Sequence, residues 1–176
     1  MEEIEVPLEK VQEDIHHAAT HGGELSGLMT YGALISAILA VFAAVSALYS
    51  GHAANEAMLE QIRSSDRWSY YQAKGIKASL AELKLHQMPE MREKVEEKIQ
   101  EYKKEQEDIR KEAEKLQEES AVHLHKHETL SRAVTFFQVA IALTAISVLA
   151  RKRRFLLLAM ALGLIGLIFL VLGFLI

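Results

Sequence analysis

Three stretches of the chain, 28–49, 133–150 and 155–176, contain no Asp, Glu, Lys or Arg. Each approaches the roughly 20 apolar residues that a helix needs to cross a hydrocarbon core of about 30 Å. The pattern predicts three transmembrane helices, over 26–51, 130–150 and 155–176. Between the first two lies a stretch of opposite character, in which residues 52–132 carry 17 acidic and 15 basic side chains. That composition belongs in water, and its net charge of −2 gives no reason to expect nucleic acid as a partner.

Within the polar stretch the apolar residues recur every three and four positions, the spacing of a coiled-coil seam. With His52 at position a, the seam of a first limb takes Leu59, Ile62, Asp66, Ser69, Ala73, Ile76, Leu80 and Leu83. A second limb carries Val95, Ile99, Tyr102, Gln106, Ile109, Ala113, Leu116, Ser120, His123 and His127 at the same spacing. Antiparallel pairing sets Leu83 against Val95, Ile76 against Tyr102, Ile62 against Leu116 and Asn55 against His123, and these pairs centre on Pro89, the one proline between Pro7 and the C-terminus. Proline stops a helix, so the expected architecture is an all-α membrane protein. Its three transmembrane helices have a long antiparallel helical hairpin, a coiled coil over 52–129 with its tip at Pro89, inserted between the first and second.

The limbs differ away from that seam. The second is charged at nearly every other position from Glu93 to Glu119, as expected of a helix backed by water. The first confines most of its charge to two rows and holds one carboxylate, Glu82, among fifteen residues on the rest of its back. An uncharged back implies a second partner, which makes the first limb the inner helix of a homo-oligomer. Trp68 and Tyr71 lie on that back with Gly75 one turn on, about 25 Å above Gly51 at 1.5 Å per residue. Aromatics beside a glycine are the usual make-up of an interface anchor and its pocket. In the first membrane helix Gly32, Ser36, Ala40 and Ala44 recur at intervals of four, small residues that let helices approach closely in lipid.

The run GHAANEAMLEQIRSSDRWSYYQAKGIKA, residues 51–78, is similar to the signature segment of the bacterial membrane-protein family catalogued as domain of unknown function 4337. The similarity is most specific in WSYYQAKGIK. The order of acidic N-terminus, membrane helix, charged helical segment and C-terminal membrane portion also resembles that family over nearly the whole chain. The resemblance implies residence in a bacterial membrane and brings no activity, ligand or catalytic residue.

The first 25 residues hold seven acidic groups and one Lys, unlike a cleaved secretory signal. Leu8, Val11, Ile15 and Ala18 give them a short amphipathic helix, closed by a loop at Gly22 and Gly23. RKRR, residues 151–154, is a basic turn that resists translocation. It sets the N-terminus in the cytoplasm and the hairpin in the periplasm across a bacterial inner membrane.

Candidate chemistry is sparse. The chain has no Cys, and it carries neither a Gly-rich phosphate loop nor an HExxH motif, so no enzyme is expected. In HLHKH the register brings His123 and His127 near His52, a set of nitrogen ligands that suits Zn²⁺ or another divalent metal and that also titrates near neutrality. Three functions follow. The first is a homo-oligomeric membrane scaffold or interaction protein whose helical stalk binds protein partners and whose base sits in lipid. The alternatives are a channel or transport-related assembly with the first membrane helix around a central path, and a metal or pH sensor built on the membrane-proximal His cluster.

Overall fold

The structure, a computed structural model, describes the backbone of residues 8–87 and 92–176 and the side chains of 27–85 and 92–176. The described residues form three helices and no strand: α1 (Leu8–Gln87), α2 (Arg92–Ala150) and α3 (Arg153–Leu175). Among them, each of the three contains a segment long and apolar enough to cross a membrane. Pro89 and the expected tip lie outside the described residues, as do the side chains of the N-terminal segment.

α1 is a single helix of 80 residues. The expected loop at Gly22 and Gly23 is corrected, because the helix runs through both. Glycine inside a helix costs only about 1 kcal/mol relative to alanine, and the chain from Leu8 to Gln87 has no proline to interrupt it. The three helices contribute to two compact units, one of Met1–Leu48 with Leu130–Leu175 and one of Tyr49–Thr129.

The core of the first unit is Leu39, Leu130, Ala133, Phe137, Ala140, Ala159 and Leu170. α3 enters it by a line of small residues, for Ala159, Gly163, Gly166 and Gly173 are buried while most of its leucines are exposed. Each glycine receives a large side chain from another helix. A Cβ at Gly163 would lie 2.8 Å from Leu39, one at Gly166 2.9 Å from Phe137 and one at Gly173 2.5 Å from Leu130. Phe42 stacks on Phe137 and Phe136 on Phe169, with ring centroids 5.8 and 5.5 Å apart. The buried hydroxyls are satisfied locally, as apolar surroundings require: Ser46 donates to the carbonyl of Phe42 at 2.7 Å and Thr144 to that of Ala140 at 2.9 Å.

α2 passes to α3 through a turn in which Arg151 adopts φ 54°. Its N–H donates to the carbonyl of Val148 and that of Lys152 to Ser147, at 3.3 and 3.2 Å. This double bond pattern closes a helix through a left-handed residue, a position usually held by glycine. Gln138, the one amide side chain of the apolar stretch 133–150, is exposed.

The tightest of the glycine contacts sets a prediction. Leu130 is fully buried and cannot swing aside, so Gly173→Ala should lower the stability of detergent-purified protein by about 1–3 kcal/mol, the usual cost of overpacking. In the same thermal or denaturant titration Leu149→Ala, at a residue 84% exposed, should stay within about 0.5 kcal/mol of the parent.

Candidate functional site

In the second unit α1 meets α2 through small residues. Ala53, Ala57, Ser64 and Ala78 are buried on α1, opposite Ile99, Ile109, Ala113 and Ser120 on α2. Side chains reach across to the other helix's backbone. Ser64 Oγ donates to the carbonyl of Ala113 at 2.9 Å, Ser120 Oγ to that of Ala57 at 2.7 Å, and Gln106 Nε2 to that of Tyr71 at 3.3 Å. In each contact a higher number on α1 meets a lower one on α2, so the paired stretches run in opposite directions. A hydroxyl is short, and its bond to a foreign carbonyl requires the two backbones to lie close together.

On α2 the inward row is the one read from the heptads, buried or half-buried from Val95 to His127. On α1 the heptad assignment is corrected. Leu59, Ile62, Ile76, Leu80 and Leu83, expected in the seam, are 47–62% exposed. The helix is turned so that its alanines and serines face α2. Close approach of two backbones, with hydroxyl-to-carbonyl bonds between them, takes precedence over burial of the larger side chains.

The same rotation relocates the residues expected on the outward back. A Cβ on Gly75 would lie 2.7 Å from Gln106 Nε2, and Tyr71 is the residue whose carbonyl accepts from that amide. Trp68 is half-buried and packs edge-on against Tyr71, centroids 5.5 Å apart at 74°. This group therefore lies beside the seam with α2 rather than turned away from it. In the first unit Gly32 is buried, its Cβ position 2.7 Å from Val148, and Ser36 is half-buried, whereas Ala40 and Ala44 are exposed.

Charged side chains also enter the seam. Lys74, 8% exposed, pairs with Glu105 and lies 5.4 and 5.3 Å from the ring centroids of Tyr70 and Tyr102. The hydrogen bond to Glu105 raises its pKa above the ordinary lysine value against the opposing effect of burial, with further help from Tyr70. Two exposed pairs also bridge the helices, Arg67 with Glu112 at 3.0 Å and Lys103 with Glu82 at 2.9 Å. On the outer side of α2, Arg110 holds Glu107 at 2.8 Å and Glu114 at 3.4 Å. Its hydrogen bond draws the Glu107 carboxyl below the ordinary carboxylate range, offsetting a smaller upward effect of burial.

His52, His123 and His127 do not come together. His127 Nδ1 is 2.9 Å from both the carbonyl and the hydroxyl of Ser50. The carbonyl can only accept, so Nδ1 carries the proton. His123 Nε2 lies 3.6 Å from Glu60 across the seam. His52 is turned outward and reaches only Glu56 of its own helix, at 4.0 Å. Among the described residues no three of His, Cys, Asp and Glu gather where an ion could bind. The rotation of α1 that exposes Ile62 also swings His52 away from His127. Glu60, 13% exposed and with Oε2 unpaired, is the buried acid that the sequence pattern did not single out. Its spacing of four from Glu56 and from Ser64, on the inward row, was the available signal.

The profile of a family described as a domain of unknown function (DUF4337) matches residues 28–176. The chain belongs to the DUF4337 family. No curated protein and no solved structure matches it. The family match takes in the whole of Tyr49–Thr129, so the Ser64, Gln106 and Ser120 contacts all lie within the DUF4337 region.

Two predictions concern this seam. Gly75→Ala should cost well under 1 kcal/mol, because the flexible Gln106 amide can turn away, whereas Gly75→Leu should lose about 1–3 kcal/mol by forcing the helices apart; urea titration followed by circular dichroism separates the two. The second concerns pH. Glu107 has a lowered pKa, so its contribution is present above the ordinary value of 4.5 and is lost as pH falls through its folded value. Lys74 has a raised pKa, so its contribution is present below 10.5 and is lost as pH rises through its folded value. The contributions of these two groups to the melting temperature should be constant between those limits and decline outside them. Lys74→Met should remove the decline on the alkaline side.

Proposed function

We propose that the chain is a homo-oligomeric membrane scaffold. Its three apolar helices anchor it in lipid, and the antiparallel pairing of α1 with α2 forms a helical hairpin that stands in water as a stalk and binds protein. The basic turn RKRR lies on the cytoplasmic side by the positive-inside rule, which sets the stalk in the periplasm of a bacterial inner membrane. No reaction is assigned to it.

The observation that carries this reading is the row of exposed large apolar residues on α1, Leu59, Ile62, Ile76, Leu80 and Leu83. Exposed large apolar residues gathered on one side of a water-facing element, here in two groups on either side of Asp66 and Ser69, mark protein interfaces. The outer face of α2, by contrast, is covered by ion pairs within its own helix, which suits a surface left in water. Trp68, Tyr71 and Gly75 brace the stalk internally in this reading, and the apolar row replaces them as the assembly surface.

Ile76→Glu combined with Leu80→Glu tests it. Both residues are more than half exposed, so helicity and melting should change little, by about 0.5 kcal/mol or less per site. The mass of the complex in mild detergent, by sedimentation, should fall to that of one chain. A parent protein already of single-chain mass, or a variant of unaltered mass, contradicts the scaffold assembly.

A further inference from the structure

We infer that the apolar row of α1 is covered by the same row of a second copy of this chain, packed parallel and in register. The inference rests on the scaffold reading and names the partner of its exposed face.

The first ground is spacing. Leu59 with Ile62, and Ile76 with Leu80 and Leu83, keep the spacing of four and three residues in one register, in two segments joined by Asp66, Ser69 and Ala73. An interval averaging 3.5 residues is the repeat that keeps one helix facing another over several turns. A row facing only solvent has no reason to keep it. Two such rows exist on α1. One, through Ala57, Ser64 and Ala78, is already occupied by α2. The other is as regular, has the larger side chains, and is open.

The second ground is orientation and charge. Copies inserted through the same membrane helices all carry α1 in the same direction, so rows that meet do so at equal heights. The positions beside the row on one side are Met58, Ser65, Gln72 and Ser79, all uncharged. In a parallel pair these face Arg63, Tyr70, Lys77 and Lys84 of the other copy, so no like charges meet there. Asp66 alone brings charge into the row. In register it meets the same residue of the other copy, and its surface hollow holds Arg63 together with the Arg67–Glu112 pair; polar residues at such positions fix register at some cost in stability.

The third ground is area. Met58, Leu59, Ile62, Ile76, Leu80 and Leu83 are 47–63% exposed and together present on the order of 600 Å² per copy, against the about 800 Å² that each partner contributes to a standard interface. The polar residues between them supply the remainder. A different protein with an apolar helix could use the row too, but it would need the same repeat to follow it.

The chain has no cysteine, so single substitutions report directly. Ile62→Cys, Ile76→Cys and Leu83→Cys, each in the full chain in native membranes, should form disulfide-linked pairs on copper-phenanthroline oxidation at least tenfold faster than Lys115→Cys on the outer side of α2. Self-linkage at all three heights requires a parallel pair in register, since an antiparallel pair brings only one height into contact with itself. An assembled protein whose row positions link no faster than Lys115→Cys overturns this pairing and leaves the scaffold reading standing. A single-chain mass by sedimentation overturns both.

Discussion

Ser64 and Ser120 donate their hydroxyls to backbone carbonyls on the opposite helix, and the arrangement of the polar half of the chain depends on the closeness those bonds require. Small residues suit backbones so near to one another, and Ala53, Ala57, Ala78 and Ala113 are buried there with Ile99 and Ile109, while Leu59, Leu80 and Leu83 of α1 are exposed. Once α1 presents its small residues to α2, its large apolar residues must point elsewhere. The exposed row is therefore a consequence of the seam. The same device recurs in the apolar unit, where glycines of α3 receive Leu39, Phe137 and Leu130.

Much of this was legible from residue order. The absence of charge over 28–49, 133–150 and 155–176 marks the apolar segments because a charged group in hydrocarbon is costly, and the two units divide close to where charge resumes. The inward face of α2 was legible because every alternative face is charged. The rotation of α1 was not. With so little charge on its back, α1 offers two regular rows, and hydrophobic periodicity selects the one with the larger residues. Alanine and serine are nearly silent in such a pattern, although they are what close packing selects. His52 was misplaced for the same reason, since turning α1 carries it out and brings Ser50 to His127.

The consequence for function is a division of labour between two faces of one helix. One face joins α1 to α2 by short polar bonds and a lysine that pairs with Glu105 between two tyrosine rings. The other is free of that duty and carries the apolar area. In the proposed scaffold, internal stability and assembly are set by different residues. Changes at Gly75 or Ser64 act on the first, and changes at Ile76 or Leu80 on the second.

The central claim is the rotation of α1, and two double-cysteine variants of the otherwise cysteine-free chain test it most directly. Ser64→Cys with Ala113→Cys should close a disulfide within one chain under mild oxidation, whereas Ile62→Cys with Leu116→Cys, the pair that hydrophobic periodicity alone would choose, should form none within one chain. Closure of the second pair with the first remaining open would contradict the account.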